Sequence, residues 1–150
     1  MFFGEFVASA KAVVWPYFVF GRPAIKDVAD LSPTDRESGR HYTNSKKACD
    51  EALLIIVKRS DIAVLTRDEA SEIAKLLRLA ISEGLLVEPE YLRRVHQELP
   101  KRYREEYLNA LHMLAEGLES NNRVLTLAGT YGYNEFAEWI KDNRKNLKFP

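Results

Sequence analysis

Disulfides, a net charge and loop-forming residues are what this chain has least of. It contains one cysteine, six prolines and seven glycines in 150 residues. Lone Cys49 cannot close an internal disulfide, which favours a reducing compartment and makes the cytoplasm the expected location. So few prolines and glycines argue against a loop-rich all-β design. Charge of one sign is also missing, since 22 basic residues face 22 acidic ones. That balance removes the simplest case for nucleic acid or an anionic membrane as partner, although a local patch survives such a sum. Metal-ligand spacing is missing too. His41, His96 and His112 lie far apart, with no second histidine or cysteine three or four residues away from any of them. No metal site and no cofactor is therefore expected.

What is present describes an ordinary globular chain, 46% apolar and 29% charged. At this length one domain over residues 1–150 is expected, burying roughly two-thirds of the surface of its unfolded chain. The expected fold is an all-α bundle of about six helices, with an amphipathic helix over about residues 2–15 and a main bundle over about residues 32–147.

The stretch Leu65 to Gly84 carries the clearest helix. Thr66 and Glu69 have the spacing of a capping box, and Leu65 with Ala70 that of a hydrophobic staple. Ala70, Ile73, Ala74, Leu77, Ala80 and Ile81 make one stripe, and Gly84 is placed for a left-handed stop. Ser45 to Arg59 predicts a second, deeply buried helix around Ala48, Cys49, Ala52, Leu53 and Ile56. A short β-hairpin over Leu53–Val57 and Ile62–Leu65 is the rival, disfavoured by the long helical pattern and the absence of glycine in the turn. Ser32-Pro33-Thr34-Asp35 opens a helix, and the polar run Arg36 to Asn44 after it reads as either frayed helix or loop. Pro89 begins a helix carrying Tyr91, Leu92, Val95 and Leu99. Pro100 ends that helix and begins a longer one reaching Ser120. Ala128 to Tyr133, with Gly129 and Gly132, reads as a loop closing onto a last helix capped by Asn134. Arg144 to Pro150 is expected to fray.

Phe2 to Phe20 has the apolarity of a membrane segment but contains Glu5, Lys11 and Pro16. A lysine near the bilayer centre costs about 3 kcal/mol on insertion scales. The segment also lacks the positive start of a signal peptide. An amphipathic core helix is the better reading, with an in-plane membrane helix over residues 2–20 as a further possibility.

Few residues suggest chemistry. Cys49 sits among apolar neighbours on its helix, the setting of an inert thiol. Arg36-Glu37-Ser38-Gly39-Arg40-His41 places four residues between an arginine and a histidine. The spacing resembles the Arg-x(4–6)-His motif of the small all-helical HEPN-type nucleases. That resemblance spans six residues and implies a ribonuclease in which His41 acts as acid–base and Arg36 holds the phosphate. The ordinary reading of the stretch is a solvated segment. Arg93, Arg94, Lys101, Arg102 and Arg104 alternate with Tyr91, Tyr103 and Tyr107, a mixture able to bind nucleic acid. Five acids between Glu88 and Tyr107 neutralise it, and the tyrosines fall on the apolar stripe. For a protein partner the candidate surface residues are Phe2, Phe3, Phe6, Tyr17, Tyr131 and Tyr133. The leading expectation is a small non-enzymatic interaction module of the adaptor, inhibitor or regulatory-subunit kind, binding another protein or itself. The alternatives are a metal-free ribonuclease using Arg36 and His41, or a peripheral membrane protein using the first helix.

Overall fold

The computed structural model describes residues 32–58 and 65–149. The expected helix over residues 2–15 and its aromatic residues Phe2, Phe3 and Phe6 lie outside them, as do Tyr17 and residues 62–64 of the rival hairpin. Among the described residues the chain is all-α, with five helices and no strand. They are α1 (Pro33–Lys58), α2 (Arg67–Gly84), α3 (Pro89–Val95), α4 (residues 99–120) and α5 (Arg123–Asn143). Helix α4 is continuous but not uniform: Leu99–Arg102 leads into a π-helical turn, Tyr103–Leu108, and then into Asn109–Ser120.

Helix α1 begins where Ser32 and Pro33 predict. The Asp35 backbone N–H donates to Ser32 Oγ at 3.1 Å, and Pro33 needs no partner in the first turn. The polar run that follows is neither frayed nor a loop. Ser38, Gly39, His41, Tyr42 and Ser45 are all buried, so a stripe of small and aromatic residues continues the apolar face of Ala48, Cys49, Ala52, Leu53 and Ile56. Leu53 to Val57 is helical, which excludes the hairpin there.

Helix α2 has the expected start. The Glu69 N–H donates to Thr66 Oγ1 at 3.2 Å, and the Thr66 hydroxyl donates to the Glu69 carboxylate at 2.7 Å. Leu65 and Ala70 are buried on either side of this cap. Gly84 does not supply a left-handed stop. It is the last helical residue, and Leu85 after it keeps right-handed geometry. Its role is close packing, because a Cβ there would come within 2.5 Å of Leu108 Cδ2 and 3.1 Å of Ser45 Oγ. The left-handed residue is Asn121, at φ 51°, ending α4 where asparagine tolerates that geometry better than most residues.

The largest departure from expectation is α5. Ala128 to Tyr133 is not a loop, and Asn134 is not a cap. The helix starts at Asn122, whose Oδ1 accepts the Leu125 N–H at 3.2 Å, and runs unbroken to Asn143. Its glycines face α4. A Cβ on Gly129 would lie 2.7 Å from Leu114 N and 2.8 Å from Ala110 O, so glycine is what lets the two backbones meet. Gly117 on α4 makes the reciprocal approach, 2.7 Å from Thr126 N by the same measure. The C-terminal tail is docked rather than frayed: the Lys148 N–H donates to Val95 O at 3.0 Å, and Phe149 packs on Tyr42 with ring centres 5.2 Å apart.

Helix α1 packs on α2, α2 on the later part of α4, and α4 on α5. One core therefore runs from Ile56 through Ile73, Leu77 and Leu111 to Phe136. No described helix is long and apolar enough to cross a membrane.

Candidate docking site at the corner of α3 and α4

The centre of the core is aromatic and polar. Tyr42, Tyr103, Tyr107 and Tyr133 come from three helices, and their rings form a chain. Centroids lie 5.6 Å apart for Tyr42–Tyr103, 4.9 Å for Tyr103–Tyr107 and 6.3 Å for Tyr107–Tyr133. Ser45 sits beside this chain. Its hydroxyl donates to Ala80 O at 2.6 Å and stands 3.1 Å from the Tyr107 hydroxyl, whose proton is then the one shared. Burial raises the Tyr107 phenol far above its ordinary range. It also pushes the Cys49 thiol up to about 12, with Asp50 adding to the effect. Cys49 is fully buried and stays a thiol at neutral pH. These groups hold helices together, as polar atoms without access to water must.

His41 is the second place where chemistry was expected. It is buried on α1, and Nδ1 lies 2.6 Å from Glu83 Oε2 at the end of α2. A carboxylate only accepts, so Nδ1 carries the proton and points at Glu83. Around Nε2 stand the Arg40 guanidinium at 3.5 Å and the Glu37 carboxylate at 3.7 Å. Asn44 donates a second bond to Glu83 at 3.2 Å. The His41 bond, with Asn44 behind it, holds the Glu83 carboxyl below its usual range. Arg36 is exposed one turn earlier on α1. The structure thus pairs His41 with Glu83. The other histidines serve contacts between helices: His96 meets Trp139 edge-on, and His112 Nδ1 lies 2.8 Å from an Arg78 guanidinium nitrogen.

The five basic candidates separate in three directions. Arg94 pairs with Asp35 on α1. Arg102 bonds Glu106 at 2.7 Å and Glu98 at 3.3 Å, and covers the Trp139 ring at 5.0 Å. Arg93, Lys101 and Arg104 come together around a pocket of about 310 Å³, where the turn after α2 meets α3 and the start of α4. Its floor is apolar, built by Leu85, Val87, Leu92 and Leu108. Gly84 and Tyr103 also line it, and Glu105 is its acidic residue. Tyr91, Tyr103 and Tyr107 are buried, so their rings are not free to stack on bases.

Three features mark this corner. Leu85 is 67% exposed and Leu86 beside it 57%, so the apolar floor continues onto open surface. Arg93 pairs with Glu90 and Lys101 stands 4.0 Å from Glu105, but Arg104 forms no ion pair among the described residues. The π-helical turn supplies Tyr103, Arg104, Glu105 and Leu108 to the same pocket. Its widened geometry is visible in the Asn109 N–H, which donates five residues back to Arg104 O. Such turns are rare and recur at functional sites. Sequence reading missed the pocket because its cations were summed with acids that face elsewhere: Glu98 and Glu106 lie beside Arg102 around a neighbouring hollow.

Of the two tyrosines expected on a loop, Tyr131 is 66% exposed on α5, whereas Tyr133 is turned into the core. Among the described residues no group of three or more histidines, cysteines and acids stands close enough to hold a metal ion. Comparison with protein-family models, with curated proteins and with solved structures gives no match.

Proposed function

We propose that this chain is a non-enzymatic protein-interaction module of the adaptor, inhibitor or regulatory-subunit kind, acting in the cytoplasm. The observation that carries the reading is the corner pocket. It is an apolar hollow with exposed leucines at its edge and, on its rim, an arginine with no ion pair among the described residues. An apolar patch rimmed by polar residues is the usual sign of a protein contact. The test is native purification of the full chain and of Leu85→Asp/Arg104→Glu. A stoichiometric partner held by the natural chain and lost from the variant, at unchanged circular dichroism, supports the reading. A partner retained equally by both chains, or no partner at all, overturns it.

One observation favours a second reading, ribonuclease action through His41. The Glu83 carboxylate fixes the ring tautomer, and an arginine stands beside Nε2, as an acid–base group acting on a phosphodiester requires. RNA cleavage lost in His41→Ala and reduced in Glu83→Gln, with both variants folded, supports it. Equal activity in all three chains removes it.

A further inference from the structure

We infer that the corner pocket takes an acidic peptide segment of a partner protein, with an apolar side chain seated on the Leu92–Leu108 floor and carboxylates on Arg93, Lys101 and Arg104. The inference deepens the proposed function and rests on it. Charge complementarity supplies the first argument. Three cations against one carboxylate line this hollow; Arg93 pairs with Glu90 and Lys101 stands near Glu105, while Glu98 and Glu106 lie beside Arg102. Arg104 has no carboxylate partner among the described residues, so an incoming acid there breaks no existing pair.

The second argument is shape. A pocket of about 310 Å³ lies at the small end of ligand sites and accommodates a single large side chain. The exposed leucines after Gly84 extend the apolar surface past its mouth. A small anion seated inside would leave that surface wet, whereas a peptide covers both. Nucleic acid fits less well. The tyrosines interleaved with these cations are buried, and Arg94 and Arg102 are held by other helices.

The test is fluorescence anisotropy of the full chain with a labelled twelve-residue peptide in which leucine and glutamate alternate. Control peptides carry lysine for glutamate, or serine for leucine, and a labelled oligouridine covers nucleic acid. Saturable binding of the acidic leucine peptide is expected, weakened at least about tenfold in Arg93→Glu/Arg104→Glu and by added salt. Each control peptide is expected to bind at least about tenfold more weakly, since each lacks either the charge or the apolar anchor. Equal binding of the lysine peptide, tighter binding of the oligouridine, or no binding of the acidic peptide at millimolar concentration overturns the inference. Leu85→Asp with Gly84→Ala provides a second variant pair that leaves the cations in place. If the acidic peptide fails while the cellular partner still depends on Leu85 and Arg104, the peptide chemistry is wrong and the interaction reading stands. If the partner fails as well, both fall.

Discussion

The seam between α4 and α5 and the corner between α3 and α4 use the same residue types to opposite ends. At the seam, Gly117 and Gly129 remove side chains so that two backbones touch, and each Thr hydroxyl is returned to its own helix. Thr126 donates to Asn122 O at 2.9 Å, and Thr130 to Thr126 O at 2.8 Å. At the corner, Gly84 also removes a side chain, but what packs into its place is the end of the Leu108 side chain rather than a backbone. Tyr107 shares its hydroxyl with Ser45 at the centre of the core, while Arg104, in the π-helical turn beside Tyr103, has no ion pair among the described residues. The contrast teaches where to look for function: not where polar groups are concentrated, but where they lack partners.

The strongest way to break that comparison is to add one methyl group to each region. Gly129→Ala brings a Cβ against the backbone of α4, which cannot move aside without separating the helices. It should cost about 3 kcal/mol, the upper part of the usual range for overpacking, by urea denaturation. Gly84→Ala meets the far end of the Leu108 side chain instead, so it should cost under about 1.5 kcal/mol. Equal costs would erase the distinction between seam and corner.

Removing single hydroxyls sharpens it further. Tyr107→Phe takes away the partner of Ser45 and should destabilise by about 1 kcal/mol. Tyr103→Phe removes a hydroxyl that stands against Ser45 without a well-formed bond, so it should cost less than Tyr107→Phe. Denaturant midpoints at constant slope report both, and a larger loss in Tyr103→Phe would contradict the assignment.

A smaller effect should appear only with acid. Glu83 binds its proton less readily in the folded chain, because the His41 bond favours the carboxylate. Its contribution to stability is therefore complete above the unfolded carboxyl pKa of about 4.3 and is lost as pH falls through the lower folded value. The stability difference between the natural chain and Glu83→Gln should be largest at neutral pH and shrink below about pH 4. A gap that widens on acidification would show that another group governs the clasp between α1 and α2. The smallest change is expected at the pocket rim, where Arg104→Glu should alter stability by less than about 0.5 kcal/mol.

Much of this architecture was legible in the sequence, and the failures share a cause. Helix α2 could be read at its start and along its face because aliphatic residues carry its stripe. The polar run of α1 could not, since its buried face is made of serine, glycine, histidine and tyrosine, which burial patterns alone assign to solvent. Helix α5 reads as interrupted at Gly129 and Gly132 for a related reason. Glycine in a helix weakens it locally, and its compensation, a close backbone approach to Ala110 and Leu114, exists only in three dimensions. Gly84 has the position of a stop signal, but it is a packing residue. The corner pocket depends on which helix each charge faces. Arg93 comes to it from α3, Lys101 from the first turn of α4 and Arg104 from the π-helical turn, which no sequence period announces.

The most direct test of the claim that uncommitted groups mark the functional surface is a residue-resolved NMR titration of the full chain with the alternating leucine–glutamate peptide. The predicted result is a set of saturating shift changes at Leu85, Leu92, Arg93, Tyr103 and Arg104, with His41, Cys49 and Gly129 unmoved. Changes centred instead on His41, Arg40 and Glu83 would contradict it.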